Sequence, residues 1–115
     1  MSKIPAFLRF APAALFVLFV PTIPVIAAIP EYTIVIKDHR FEPAELKVPA
    51  GTKVKLIIRN EDATPEEFES YDFNREKIVS GYSQIKVFVG PLKPGTYKFF
   101  GEFNIETAQG RLIVE

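Results

Sequence analysis

Seven carboxylates and one histidine are the groups in this chain best suited to hold a cation. Glu61, Asp62, Glu66, Glu67 and Glu69 fall within nine residues, and Glu102 and Glu106 follow in a later loop. Carboxylate oxygen is a hard ligand. It suits Fe²⁺, Fe³⁺, Mn²⁺ or Ca²⁺ better than Cu⁺. Crowded carboxylates repel one another, and a bound cation relieves the repulsion. The plainer reading of the same residues is a solvated acidic loop that keeps one end of the molecule soluble. His39 stands in Lys37-Asp38-His39-Arg40-Phe41. It is either an imidazole ligand or a surface turn residue between cations and an acid.

Other chemistries are poorly supplied. The chain has no cysteine, so it offers no thiolate ligand, no thiol nucleophile and no disulfide. Ser70, Ser80 and Ser83 have no candidate base except His39. No hydrolase, kinase or dinucleotide motif is present. Arg75-Glu76-Lys77 is a charged segment that reads first as a solvated face, and that could also pair with the acidic stretch or serve as a docking patch.

The elements that must position these residues are strands. Tyr32 to Lys37, Glu45 to Val48, Lys53 to Arg59, Ser83 to Val89, Thr96 to Phe100 and Arg111 to Glu115 alternate apolar and polar residues. Period two with β-branched and aromatic residues predicts strands. Pro49-Ala50-Gly51-Thr52 and Pro91 to Thr96 supply turns, and Phe41-Glu42-Pro43-Ala44 a further break. A single helical turn is expected in Thr64 to Glu69 or in the Glu102 to Ala108 loop. The aromatics Tyr71, Phe73, Phe88, Tyr97, Phe99, Phe100 and Phe103 should mostly fill the core, with Phe100 or Phe103 left to cover a rim. Several short strands spaced by turns indicate an all-β sandwich of one domain.

The chain of 115 residues begins with a segment of different character. Lys3 and Arg9 precede an apolar run from Phe10 to Ile26, and small residues follow at Ala27 and Ala28. This is the pattern of a cleaved secretory signal peptide over 1–28, leaving a domain over 29–115. An uncleaved membrane anchor is the alternative, although Pro12, Pro21 and Pro24 interrupt the run. Any membrane contact is expected through that segment alone. Without Lys3 and Arg9, 12 basic residues face 14 acids, a net charge of about −2. No basic excess is available for phosphates, so nucleic acid is not an expected partner.

The order of the pieces resembles a cupredoxin. Ile34, Ile36, Phe41, Pro43, Leu46, Val48-Pro49, Gly51-Thr52, Val54, Leu56 and Asn60 match the spacing of its N-terminal half. Leu92-x-Pro94-Gly95-Thr96-Tyr97-x-Phe99, a loop, and Gly110-x-Leu112-x-Val114 match the other half. The resemblance implies a Greek-key β-sandwich of cupredoxin type. In the blue-copper members two histidines, a cysteine and often a methionine hold copper. Here Glu66 follows Pro65 at the first histidine's place. Gly101 falls at the cysteine, Asn104 at the second histidine, and Thr107 or Ala108 near the methionine. Type 1 copper is therefore not expected.

A narrower resemblance rests on Thr64 to Ser70, Asn74 to Lys77 and Phe100 to Gly110. These segments are similar to small periplasmic cupredoxin-like proteins that accompany iron uptake. In that group a histidine often stands where this chain has Asn104. The resemblance implies a periplasmic location. It implies iron as the metal, with a periplasmic ferrous-iron binding protein and an inner-membrane iron permease as partners. It also implies that Glu66, Glu67, Glu69, Glu102 and Glu106 gather at one rim, with His39 near its edge. The expectation is an accessory protein of iron uptake rather than an enzyme, a ferroxidase-like role being the enzymatic variant. The alternatives are a metal-free structural or interaction module, and an atypical copper-binding protein using His39 and carboxylates.

Overall fold

The computed structural model describes residues 12–23 and 28–115. The expected signal segment, 1–28, lies mostly outside the described residues. Its described part, residues 12–23, has no helix or strand. Among the described residues no helix is long and apolar enough to cross a membrane.

Nine strands follow: β1 Glu31–Lys37, β2 Arg40–Glu42, β3 Glu45–Val48, β4 Val54–Asn60, β5 Glu66–Ser70, β6 Arg75–Val79, β7 Gln84–Val89, β8 Gly95–Gly101 and β9 Gln109–Val114. A 3₁₀ turn, Glu102–Asn104, sits between β8 and β9. One sheet has the order β2-β1-β4-β7 and the other β3-β9-β8-β5-β6. β1 runs parallel to β4 and β3 parallel to β9, while the remaining neighbours are antiparallel. The all-β sandwich expected from the alternating pattern is present.

The inner faces carry the core. Ile34 and Ile36 from β1, Val54, Leu56 and Ile58 from β4, and Leu112 and Val114 from β9 are all buried. Aromatic rings fill the end near β5. Phe41, Phe68 and Phe99 pack together, with Phe41 to Phe99 at 5.1 Å and Phe68 to Phe99 at 5.2 Å between ring centres. Burying each such ring contributes about 1.5–3 kcal/mol. Gly110 is required beneath them, because a Cβ there would come within 2.3 Å of the Phe99 ring. Phe100 faces outward against Tyr71, and Phe103 remains half exposed at the rim.

Three strands were not evident as strands in the sequence. β2 occupies part of the expected Phe41 to Ala44 break. The helical turn formed in the Glu102 loop, whereas Thr64 to Glu69 became the start of β5. The alternation of β5 was present but hidden. Its inward positions are Glu66, Phe68 and Ser70, and only one of them is apolar. β6 is masked for the same reason, since Arg75 and Lys77 lie on the side facing β7.

Candidate functional site

β5 sends neighbouring carboxylates to opposite sides of its sheet. Glu66 points inward and is 1% exposed. Its Oε1 accepts the backbone N–H of Glu67 at 3.0 Å and of Phe103 at 2.9 Å, and its Oε2 accepts from Asn104 Nδ2 at 2.7 Å. A carboxylate buried this deeply is tolerated because donors satisfy both oxygens. Gly101 makes the room. A Cβ at Gly101 would lie 2.5 Å from Glu66 Cδ and 2.7 Å from the Cβ of buried Ala108. The Glu66 carboxyl group thus fills the space beside β8 into which a side chain at 101 would project. The 3₁₀ turn holds Asn104 in place, since Asn104 O accepts the N–H of Ala108 at 2.8 Å.

Glu67 and Glu69 lie on the outer face. The β5–β6 hairpin sets Glu76 directly across from Glu69. Oxygens of Glu67, Glu69 and Glu76 all lie within 4.8 Å of one another. Among the described residues none of the three forms an ion pair. A hydrogen bond shared with Glu76 pushes the Glu67 carboxyl up to about 7, aided by burial and by the charges of Glu76, Glu69 and Glu102. Burial raises Glu69, as do Glu76 and Glu102. Tyr71 beside them is raised chiefly by the charge of Glu69. This is a concentration of negative charge without a counterion.

The other acids are placed elsewhere. Asp62 accepts the N–H of Asp38 at 2.8 Å and of His39 at 3.0 Å. It stabilises two residues in left-handed conformation, φ 51° and 56°. His39 Nε2 lies 3.3 Å from Thr64 Oγ1. His39, Glu106 and the 3₁₀ turn line a shallow depression of ≈ 340 Å³. The six expected metal residues are therefore not brought to one point. Glu66 is enclosed; Glu67 and Glu69 share the outer face, with Glu102 close enough to raise both; His39 and Glu106 line the depression. The cause is strand periodicity, which separates Glu66 from Glu67 across the sheet. Glu76 was missed. The signal was Asp72 to Asn74, a turn that folds β6 back onto β5.

The pairing of Arg75 and Lys77 with the acids, one of the readings open from the sequence, does not form. Arg75 Nε donates to Phe88 O at 2.8 Å and Lys77 Nζ to Lys86 O at 3.4 Å. Only Glu76 of that segment faces the carboxylates. Ser70 is also committed, its Oγ donating to Lys98 O at 2.6 Å and accepting the N–H of Phe73.

Residues 9–114 match the model of the family described as cupredoxin-like domain. This chain belongs to that family. An uncharacterized protein of Rickettsia prowazekii (strain Madrid E) is 54% identical over 84 residues, 73% of this chain and 67% of its own length. Among solved structures, the cupredoxin fold is shared with auracyanin A, a "blue" copper protein of Chloroflexus aurantiacus. That match has TM-score 0.65 and 16% identity, and covers 76% of this chain and all of that one. Amicyanin from Paracoccus versutus is similar at TM-score 0.59 and 16% identity, over 80% of this chain and 86% of its own.

The copper that the family implies does not fit the residues present. A type 1 centre requires a thiolate, and this cupredoxin has no cysteine. Glu66, Gly101, Asn104 and Ala108 fit one another instead, and leave no buried side-chain nitrogen or oxygen unpaired among the described residues.

Proposed function

We propose that this cupredoxin-like protein is an exported, periplasmic accessory protein of iron uptake that takes up Fe²⁺ weakly on its outer carboxylates. The carrying observation is the meeting of Glu67, Glu69 and Glu76 within 4.8 Å, with no ion pair to balance them among the described residues. Hard oxygen ligands running from buried Glu69 to exposed Glu76 suit a weakly held divalent ion that is passed on. The similarity of Thr64 to Ser70 and Phe100 to Gly110 to iron-uptake proteins supports iron as the cargo. It also supports a ferrous-iron binding protein and an iron permease as partners.

Anaerobic titration with Fe²⁺, Mn²⁺ and Cu²⁺ tests this. Fe²⁺ and Mn²⁺ should bind with dissociation constants tighter than about 1 mM, as open oxygen sites do. Glu69→Gln and Glu76→Gln should abolish that binding. Absence of binding, or binding unchanged in both variants, overturns the reading.

The satisfied state of Glu66 favours a second reading, a metal-free interaction module on the cupredoxin scaffold. Recovery of the chain with an iron-binding partner, but without metal and without affinity for it, would select that reading.

A further inference from the structure

The sandwich is open along one side, where β6 ends one sheet and β7 ends the other. The free edge of β7 can be read from its register. Asn60 N–H bonds Ser83 O at 2.8 Å, and Arg59, Ile57 and Lys55 stand opposite Gln84, Lys86 and Phe88. In an antiparallel pair the bonded and non-bonded positions alternate. Gln84, Lys86 and Phe88 therefore turn their backbone groups away from β4. Two of the three carbonyls that this exposes are held by side chains rather than by a strand. They are Phe88 O, held by Arg75 Nε, and Lys86 O, held at 3.4 Å by Lys77 Nζ. The second bond is long, and so weak.

Positive charge surrounds this edge. Arg75 and Lys77 lie on its inner side and Lys86 on its outer side. Lys53 and Lys55 stand over the Phe88 ring at 4.8 and 5.8 Å. Lys55 pairs with Glu31 at 2.5 Å. Among the described residues the other four form no ion pair. Between the edges runs a groove of ≈ 290 Å³ lined by Arg75, Glu76, Lys77, Lys86, Val87 and Phe88.

We propose that the β7 edge is a docking site for an extended acidic segment of a partner protein, which adds as a strand beside Gln84–Val89. N–H groups of the added strand would replace Arg75 Nε at Phe88 O and Lys77 Nζ at Lys86 O, freeing both cations for its acidic side chains. Alternate acidic side chains would meet Lys86 and Lys53 on one face and Arg75 and Lys77 on the other. An edge capped only by side chains is otherwise an aggregation hazard, and its cations also disfavour self-pairing. The surface adjoins the outer carboxylates at Glu76, which lines the groove, but its test does not involve metal.

Amide NMR of the full chain can follow three short probes. These are a peptide alternating glutamate and valine, its lysine-for-glutamate counterpart, and the acidic peptide N-methylated at alternate amides. The acidic peptide should shift the amides of Gln84–Val89 and Arg75–Val79 and slow hydrogen exchange at Lys86 and Phe88. The lysine and N-methylated peptides should bind at least about tenfold more weakly. Lys53→Glu with Lys86→Glu, both exposed positions, should weaken the acidic peptide to a similar degree. Equal binding of all three peptides, or no binding of the acidic one, overturns the proposal. So does binding to phosphatidylglycerol vesicles without binding to the peptide.

Discussion

Glu66 and Glu67 are adjacent on one strand, yet they meet opposite surroundings. Glu66 is enclosed, and three N–H donors converge on its carboxylate. Glu67 faces other carboxylates, and its own carboxyl is pushed up to about 7. The first arrangement is complete without a ligand. The second is repulsive until a proton or a cation arrives. Residue type alone therefore does not mark a metal ligand. The decisive feature is whether the protein has already supplied the positive partners. In this cupredoxin-like protein they are supplied at the enclosed Glu66, and withheld on the outer face of the same sheet.

The comparison breaks most sharply at Glu66. Glu66→Leu leaves Phe103 N–H, Glu67 N–H and Asn104 Nδ2 without their acceptor, and should cost about 3 kcal/mol in urea unfolding. A cost near zero would mean that the enclosed carboxylate is not structural. Gly101→Ala should cost about 1–3 kcal/mol, because its methyl group enters the space of Glu66 and Ala108. The same substitution in a Glu66→Ala background should cost clearly less, since the carboxylate no longer occupies that space. Equal costs in both backgrounds would separate the two residues. Asn104→Ala removes one charge-assisted hydrogen bond and should cost about 1–2 kcal/mol.

The outer face responds to pH instead. Glu67 and Glu69 have raised folded-state pKa values, so the folded state holds their protons more tightly. Their contribution is fully present below the unfolded carboxylate value. It is lost as pH rises through it toward about 7, where Glu67 titrates. The midpoint of thermal unfolding should thus fall between about pH 5 and about pH 8, and Glu67→Gln should flatten that fall. Glu31 acts in the opposite sense, because Lys55 lowers it. Its contribution is lost only on acidification below the ordinary carboxylate range. A rise in stability from acid to neutral pH would contradict the repulsive reading.

The fold was legible wherever inward positions are apolar, as in Ile34 and Ile36 or Val54, Leu56 and Ile58. It was obscure in β5 and β6, where Glu66, Ser70, Arg75 and Lys77 occupy positions that periodicity would assign to apolar residues. The same obscurity hid the site. Reading Glu66 to Glu69 as a rim loop grouped carboxylates that the pleat separates. It also left Glu76 outside the group, because the register that sets it against Glu69 is a property of the hairpin. Glu66 itself was singled out by its position after Pro65, as a metal ligand. Its partners, Gly101 and Asn104, were singled out as well, but as lost ligands rather than as the parts that enclose it.

The most direct measurement of the contrast is thermal unfolding at about pH 8 with and without Mn²⁺, on wild type, Asn104→Ala and Glu69→Gln. A ligand that binds only the folded state raises the unfolding midpoint according to its affinity. The account predicts that Mn²⁺ raises the midpoint of wild type and Asn104→Ala by the same amount and leaves Glu69→Gln unmoved. A rise that persists in Glu69→Gln, or disappears in Asn104→Ala, would place the cation with the enclosed carboxylate and contradict it.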